Sequence, residues 1–155
     1  MSSTQLSNDT ATEPAGAVAV PMRLEVVVVP VADVDRAKSF YQGLGWRLDA
    51  DVSAGEDYHL VQMTPPGSKA SIIFGKGVTS DPPGSIGSML LAVDDIEAAR
   101  EELAGRGAPV SGLFHFEDGK QADGPDAERS DYNTFFSFDD PDGNAWLVQE
   151  VGHRG

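Results

Sequence analysis

A chain of 155 residues with 40% hydrophobic and 23% charged residues is long enough for one domain with a sizeable core, and too apolar to be disordered. Its 25 acidic against 11 basic residues leave a net charge of −14, which argues against nucleic-acid partners because a phosphate backbone demands clustered Lys and Arg. No apolar run approaches the roughly 18 residues of a membrane span, so no membrane partner is expected, and the lack of cysteine excludes disulfides and thiolate chemistry.

Residues 1–20, rich in Ser, Thr, Ala, Asn and Pro, carry no hydrophobic period and are expected to form a flexible tail before a folded domain over 21–152. They also lack the basic stretch and long apolar centre of a secretory signal, which points to the cytoplasm. Residues 23–29 end in a β-branched run of valines and stop at Pro30, which has no N–H for a sheet ladder, so they read as a short strand. Asp33 is a helix N-cap, its carboxylate meeting free amides and the positive end of the helix dipole. Val34, Ala37, Phe40, Tyr41 and Leu44 follow at three- and four-residue spacings as one apolar face, and Gly43 or Gly45 supplies the left-handed stop. Residues 46–48, 58–63 and 70–74 read as three further strands, separated by turn-forming residues at 53–57 and 64–68. The first unit, 22–75, is therefore βαβββ.

A connector over 76–86, rich in Gly and Pro, leads to a second unit over 87–151. Residues 89–93 are its first strand. Asp95 caps its helix, Ile96, Ala99 and Leu103 form the buried face, and Gly105 and Gly107 end it. Residues 110–116, 134–138 and 145–151 supply the remaining strands, the last two joined by a turn at Asp140-Pro141-Asp142-Gly143-Asn144. Residues 117–131 form a long acidic loop, the kind of segment in which recognition often resides.

The two units are copies. At an offset of 62, Val31 matches Val93, Asp33 Asp95, Val34 Ile96, Asp35 Glu97, Ala37 Ala99, Gly43 Gly105 and Gly45 Gly107. A supersecondary unit used twice constrains the fold more than any single motif.

The paired βαβββ units, the Asp-capped helix ending in FYQGLG and the DPDGN turn before the last strand resemble the vicinal oxygen chelate superfamily, which includes glyoxalase I, bleomycin-resistance proteins and extradiol dioxygenases. The resemblance covers residues 22–151. It implies an α+β fold in which two βαβββ repeats form a curved mixed-sheet cup, helices outside, with a small molecule inside. It also favours a homodimer, the cup being formed within one chain or between two. Catalytic relatives hold a divalent metal on the inner face, and the resemblance assigns the four ligand positions to Val26, Ile72, Ser88 and Leu147. Val, Ile and Leu have no donor atom, and a lone serine hydroxyl is a poor ligand beside imidazole or carboxylate. No metal or cofactor is therefore expected. Glu25 and Glu150 alternate away from these positions and point to the helix side.

Strand parity from those positions sends Val26, Val28, Ile72, Phe74, Ser88, Leu90, Leu147 and Gln149 inward, an apolar lining with Ser88 and Gln149 as polar handles. Tyr132, Phe136 and Phe138 are candidate stacking surfaces for a planar ligand, whereas Trp46 and Trp146 should pack between sheet and helix. His59 and His115 are candidate general bases, because an imidazole titrates near neutral pH. His153 lies beyond the last strand. The expected activity is metal-free binding of a small molecule, for sequestration or side-chain acid-base chemistry. The alternative is a metal-dependent lyase, isomerase or dioxygenase with an atypical set such as His59, His115 and Glu150.

Overall fold

The computed structural model describes residues 19–152. Residues 1–18 of the tail expected over 1–20, and His153, lie outside that range. Along the chain run β1 (Val26–Val28), α1 (Val34–Gly43), β2 (Arg47–Ala54), β3 (Tyr58–Thr64) and β4 (Ser71–Lys76), then β5 (Met89–Val93), α2 (Ile96–Gly105), β6 (Phe114–Glu117), β7 (Lys120–Asp123), β8 (Phe135–Asp139) and β9 (Ala145–Glu150). They make a four-stranded sheet in the order β1-β4-β3-β2 and a five-stranded sheet in the order β5-β9-β8-β6-β7. In each sheet the first strand of the unit pairs in parallel with the last, and the other ladders are antiparallel.

The repeated helix starts and stops are realised residue for residue, while the second unit carries one strand more than the first. Asp33 and Asp95 sit in extended conformation, with φ of −128° and −131°, and accept from the amides of Arg36 and Ala98 at 3.1 Å. Both helices have ten residues. Gly45 and Gly107, at φ of 90° and 93°, reverse the chain after them, so the second glycine of each pair is the left-handed one.

Three boundaries differ from the sequence expectation. The strand expected at 23–29 is regular only over Val26–Val28, and β2 runs on to Ala54 where only 46–48 were expected. Residues 110–113 are irregular, so β6 starts at Phe114. The acidic stretch expected to be a loop instead begins with a hairpin: Asp118 and Gly119, at φ of 52° and 77°, form its two-residue turn, and β7 pairs back on β6 from Glu117↔Lys120 to Phe114↔Asp123. Two left-handed residues match the twist of the flanking strands, and Asp-Gly accommodates them at low cost.

One apolar cluster joins the units. Val29, Val61, Met63, Ile72 and Phe74 from the first sheet meet Phe136, Phe138, Trp146 and Val148 from the second, with Ala37, Tyr41, Leu44 and Ile96 from the helices. Tyr41 lies at its centre, its ring 4.9 Å from Trp46, 5.8 Å from Phe74 and 6.1 Å from Trp146. Polar groups stitch the same seam. The Tyr41 hydroxyl donates to Asp140 at 2.8 Å and accepts from the Trp146 indole at 3.0 Å, and the Asn144 amide donates to the Pro30 carbonyl at 2.8 Å and to Asp140 at 2.9 Å. The DPDGN turn thus acts as a buried clasp between the units, with Asp140 and Asn144 both removed from solvent.

Candidate functional site

Each sheet has one face turned to this core and one open face, and the ladder registers assign every residue to one of them. In the first sheet Val26 stands opposite Ser71, Val28 opposite Ile73, and Ile73 opposite Gln62, all on the open face. Val27 stands opposite Ile72, Ile72 opposite Met63 and Phe74 opposite Val61, on the face that packs under α1. Val26 and Val28 are therefore where parity put them, while Ile72 and Phe74 are not: both are core residues, and Phe74 lies against Tyr41. The error is one residue of register, which flips a strand. Leu147 pairs with Leu90 and Ile73 with Val28, and Leu90 and Val28 are equivalent across the repeat, so Ile73 is the first-unit counterpart of Leu147.

In the second sheet Leu147 stands between Leu90 and Ser137, and Gln149 between Ala92 and Phe135, all on the open face, with Ser88 in the same parity just before β5. Leu90 is 56% exposed. Phe136 and Phe138, proposed from sequence as stacking surfaces, pair with Val148 and Trp146 on the core face, and Phe138 lies nearly parallel to Trp146 at 6.2 Å. Their place is taken by Phe135, together with Phe114 opposite it and Phe116 beyond. Phe114 and Phe135 stack at 5.5 Å, and Phe116 meets Phe135 edge-on at 5.5 Å. The alternation of Phe114 and Phe116 about His115 was a visible signal for this cluster; the partner, Phe135, required the register. Tyr132 is 60% exposed, its carbonyl accepting from the Gln149 amide at 3.1 Å.

Neither histidine reaches the open face. His59 shares the core-facing parity of Val61 and lies beyond the end of the apolar cluster, where its Nε2 meets Asp51 at 2.6 Å. Lys38 from α1 holds the other oxygen of Asp51 at 2.6 Å, and the hydrogen bond from Lys38, then that from His59, hold this carboxyl below the usual range. His59 borders a groove of about 690 Å³ with Ser53, Tyr58, Lys76 and Thr79, remote from the aromatic cluster. His115 faces away from Phe114 and Phe116, with Nδ1 donating to the Gly124 carbonyl at 2.7 Å and Nε2 3.1 Å from Glu117. The Gly124 carbonyl, and then Glu117, raise its pKa against the opposing effect of burial. Glu150 is fully buried and grips Arg129 and the amide of Ile96.

Among the described residues, the side chains at the open-face positions do not fit a metal. Among the described residues no three of His, Asp and Glu come together as ligands, and His59, His115 and Glu150 are each committed to different partners. The four equivalent open-face positions hold Val26, Ile73, Ser88 and Leu147. What the open faces offer is apolar and aromatic surface with a few hydrogen-bonding groups. A crevice of about 220 Å³ lies at the seam between β1 and β5, bordered by Leu24, Ser71, Ile72, Leu90 and Trp146. No described helix is long and apolar enough to cross a membrane.

A βαβββ unit followed by a second unit of the same plan with one added strand, each built on one mixed sheet, defines the fold class. Residues 23–148 match the family described as the Glyoxalase/Bleomycin resistance protein/Dioxygenase superfamily, and the chain belongs to it. No curated protein matches the sequence. Among solved structures the chain is similar to TnmS3, an antibiotic binding protein from Streptomyces sp. CB03234, with 29% identity over 86% of this chain and 99% of that one and a TM-score of 0.65. It is also similar to a glyoxalase/bleomycin resistance protein from the same Streptomyces strain, with 30% identity over 82% of this chain and 99% of that one and a TM-score of 0.61. A superfamily member from Sphaerobacter thermophilus DSM 20745, 22% identical over 84% of this chain and 98% of that one, shares the fold with a TM-score of 0.62.

Proposed function

We propose that this protein is a metal-independent binding protein that sequesters a small, largely apolar molecule in the cup formed by the open faces. The observation that carries the reading is the side-chain chemistry at the four equivalent positions, Val26, Ile73, Ser88 and Leu147, which supply one hydroxyl where a divalent metal needs several nitrogen or carboxylate donors. Sequestration is favoured over acid-base chemistry because His59 and His115 are held by Asp51 and Gly124 away from that face. The likeness to an antibiotic binding protein supports the same class.

A second copy of the chain completes the cup in this reading. Leu24, Val52, Leu90 and Phe116 are exposed in one chain, more apolar surface than a lone protomer leaves without purpose. Light scattering at micromolar concentration should give a homodimer.

Elemental analysis tests the metal-independent reading. Protein purified without chelator should carry well under one equivalent of Zn, Ni, Mn or Fe, and none of these should raise its melting temperature. Bound metal at a hundredfold excess over its Kd would stabilise the fold by about 2.7 kcal/mol and be plainly visible. A stoichiometric metal, lost on replacing His59 or His115, would instead establish the metal-dependent enzyme.

A further inference from the structure

The first sheet carries a file of three hydrogen-bonded side chains that ends at the seam crevice. Thr64 follows Met63, which stands opposite Ile72, so Thr64 faces Ser71 across β3 and β4, and Val26 stands on the other side of Ser71. Both hydroxyl residues are buried, and their oxygens lie 2.6 Å apart. Asp49 completes the file. It is the extra residue of a bulge in β2, where the pairing steps from Leu48 to Ala50, and its carboxylate accepts from the Thr64 hydroxyl. Arg47 donates to the other carboxylate oxygen at 2.6 Å.

Valence fixes the direction of every bond along this file. The hydrogen bond from Thr64 first, and then that from Arg47, hold the Asp49 carboxyl below the usual range, so at neutral pH it is ionised and can only accept. Thr64 has one hydroxyl proton and gives it to Asp49. Towards Ser71 it can then only accept, so Ser71 gives its own proton to Thr64. What Ser71 retains is lone pairs, on an oxygen made a better acceptor by the chain of bonds behind it. Ser71 borders the crevice of about 220 Å³, beside the apolar Leu24, Ile72 and Leu90. The other polar side-chain groups at that crevice are already engaged. Ser68 donates to the Ala70 carbonyl and accepts from the Ala70 amide, and the Trp146 indole donates to Tyr41. Among the described side chains, the crevice thus offers an acceptor and no free donor.

We propose that Ser71 selects the molecule held at this crevice by accepting a hydrogen bond from it, so that the ligand is a compact apolar molecule carrying a hydroxyl or N–H donor, and that Thr64 and Asp49 are positioning residues that fix the direction of that bond. The inference rests on the binding function proposed above and adds a chemical requirement on the ligand. A molecule offering only an acceptor would set its oxygen against the lone pairs of Ser71 and lose its hydrogen bonds to water without replacement.

The probes are cyclohexanol and cyclohexanone, rings of nearly equal apolar surface of which only the alcohol can donate, each titrated calorimetrically against the full chain. The wild-type protein should prefer the alcohol by about fivefold, the worth of one hydrogen bond made rather than missed. Ser71→Ala should bind both probes alike, near the wild-type affinity for the ketone. Asp49→Asn should reverse the preference: Arg47 holds the amide oxygen, the amide N–H2 then donates to Thr64, and the protons of Thr64 and Ser71 both turn towards the crevice. The readout is the ratio of the two affinities. A variant that merely loosened the fold would weaken both probes together, and an Asp49→Asn protein with the wild-type ratio would remove the positioning role. A preference for the alcohol that survived Ser71→Ala would remove Ser71 as the selecting group. Equal binding of both probes by the wild-type protein would overturn the inference and leave the binding function intact. Failure to bind either would overturn the crevice as the site, while the metal analysis would still decide the reading on which it rests.

Discussion

Tyr41 is a helix residue of the first unit that has become the hinge pin of the second. Burial first, and then the neighbouring Asp140 carboxylate, push its phenol far up, so it remains a neutral donor to Asp140 throughout the accessible pH range. Tyr41→Phe would keep the ring contacts with Trp46 and Phe74 but leave the Trp146 indole unpaired and Asp140 short of a donor. A cost of about 1–3 kcal/mol is expected, read as a lower urea midpoint with an unchanged m-value. His115 has the opposite character, a group whose charged form the fold favours. Its folded pKa is raised above the ordinary 6.5, so its stabilising contribution is complete below that value and is lost as pH rises through the folded pKa. The stability difference between wild type and His115→Gln should shrink between pH 6 and pH 9, and a difference that grew with pH would show that the Gly124 and Glu117 contacts do not govern the imidazole.

At the scale of elements, each helix is started by one aspartate and the two starts are structurally equivalent. Asp33→Ala and Asp95→Ala should each cost about 1 kcal/mol in chemical denaturation, the usual worth of a lost N-cap. Inequality is expected only if the neighbouring Glu150 contact at Ile96 compensates α2. The β6–β7 hairpin depends on backbone alone at its turn. A Cβ at Gly119 would touch nothing, yet its φ of 77° is left-handed, so Gly119→Ala should destabilise by about 1–2 kcal/mol purely through conformation. This hairpin was legible: Asp118-Gly119 flanked by Phe116 and Gln121 is a two-residue turn signal, but the acidic composition around it hid the short strand.

For the whole molecule, the exposed apolar residues Leu24, Val52, Leu90 and Phe116 sit on a chain of net charge −14 that repels its own copies. If the open faces are covered by a second copy, the melting temperature should rise with protein concentration and with moderate salt, which screens the repulsion. Leu90→Glu should abolish the concentration dependence and leave a folded monomer, because Leu90 contributes little to the core. A monomer whose melting is indifferent to concentration would remove the dimer.

The repeat, the two capped helices and the strand succession of the first unit were readable in the amino-acid sequence, because Asp caps, three-and-four spacing and glycine stops act within a few residues of one another. The family-like DPDGN turn was readable too, although its work as a clasp on Pro30 and Tyr41 was not. What tertiary structure alone decided was the face to which each strand residue turns. Alternation assigned Val26, Val28, Leu90, Leu147 and Gln149 to the open face, yet a one-residue slip sent Ile72 and Phe74 there in place of Ile73. Phe114 and Phe116 alternate visibly about His115, but Phe114 and Phe135 are brought together only by pairing, and Arg129 finds Glu97 and Glu150 only once the second unit has folded. Local chemistry writes elements into the chain; which side of a strand meets a ligand is set by ladder register, a property of two strands distant in sequence.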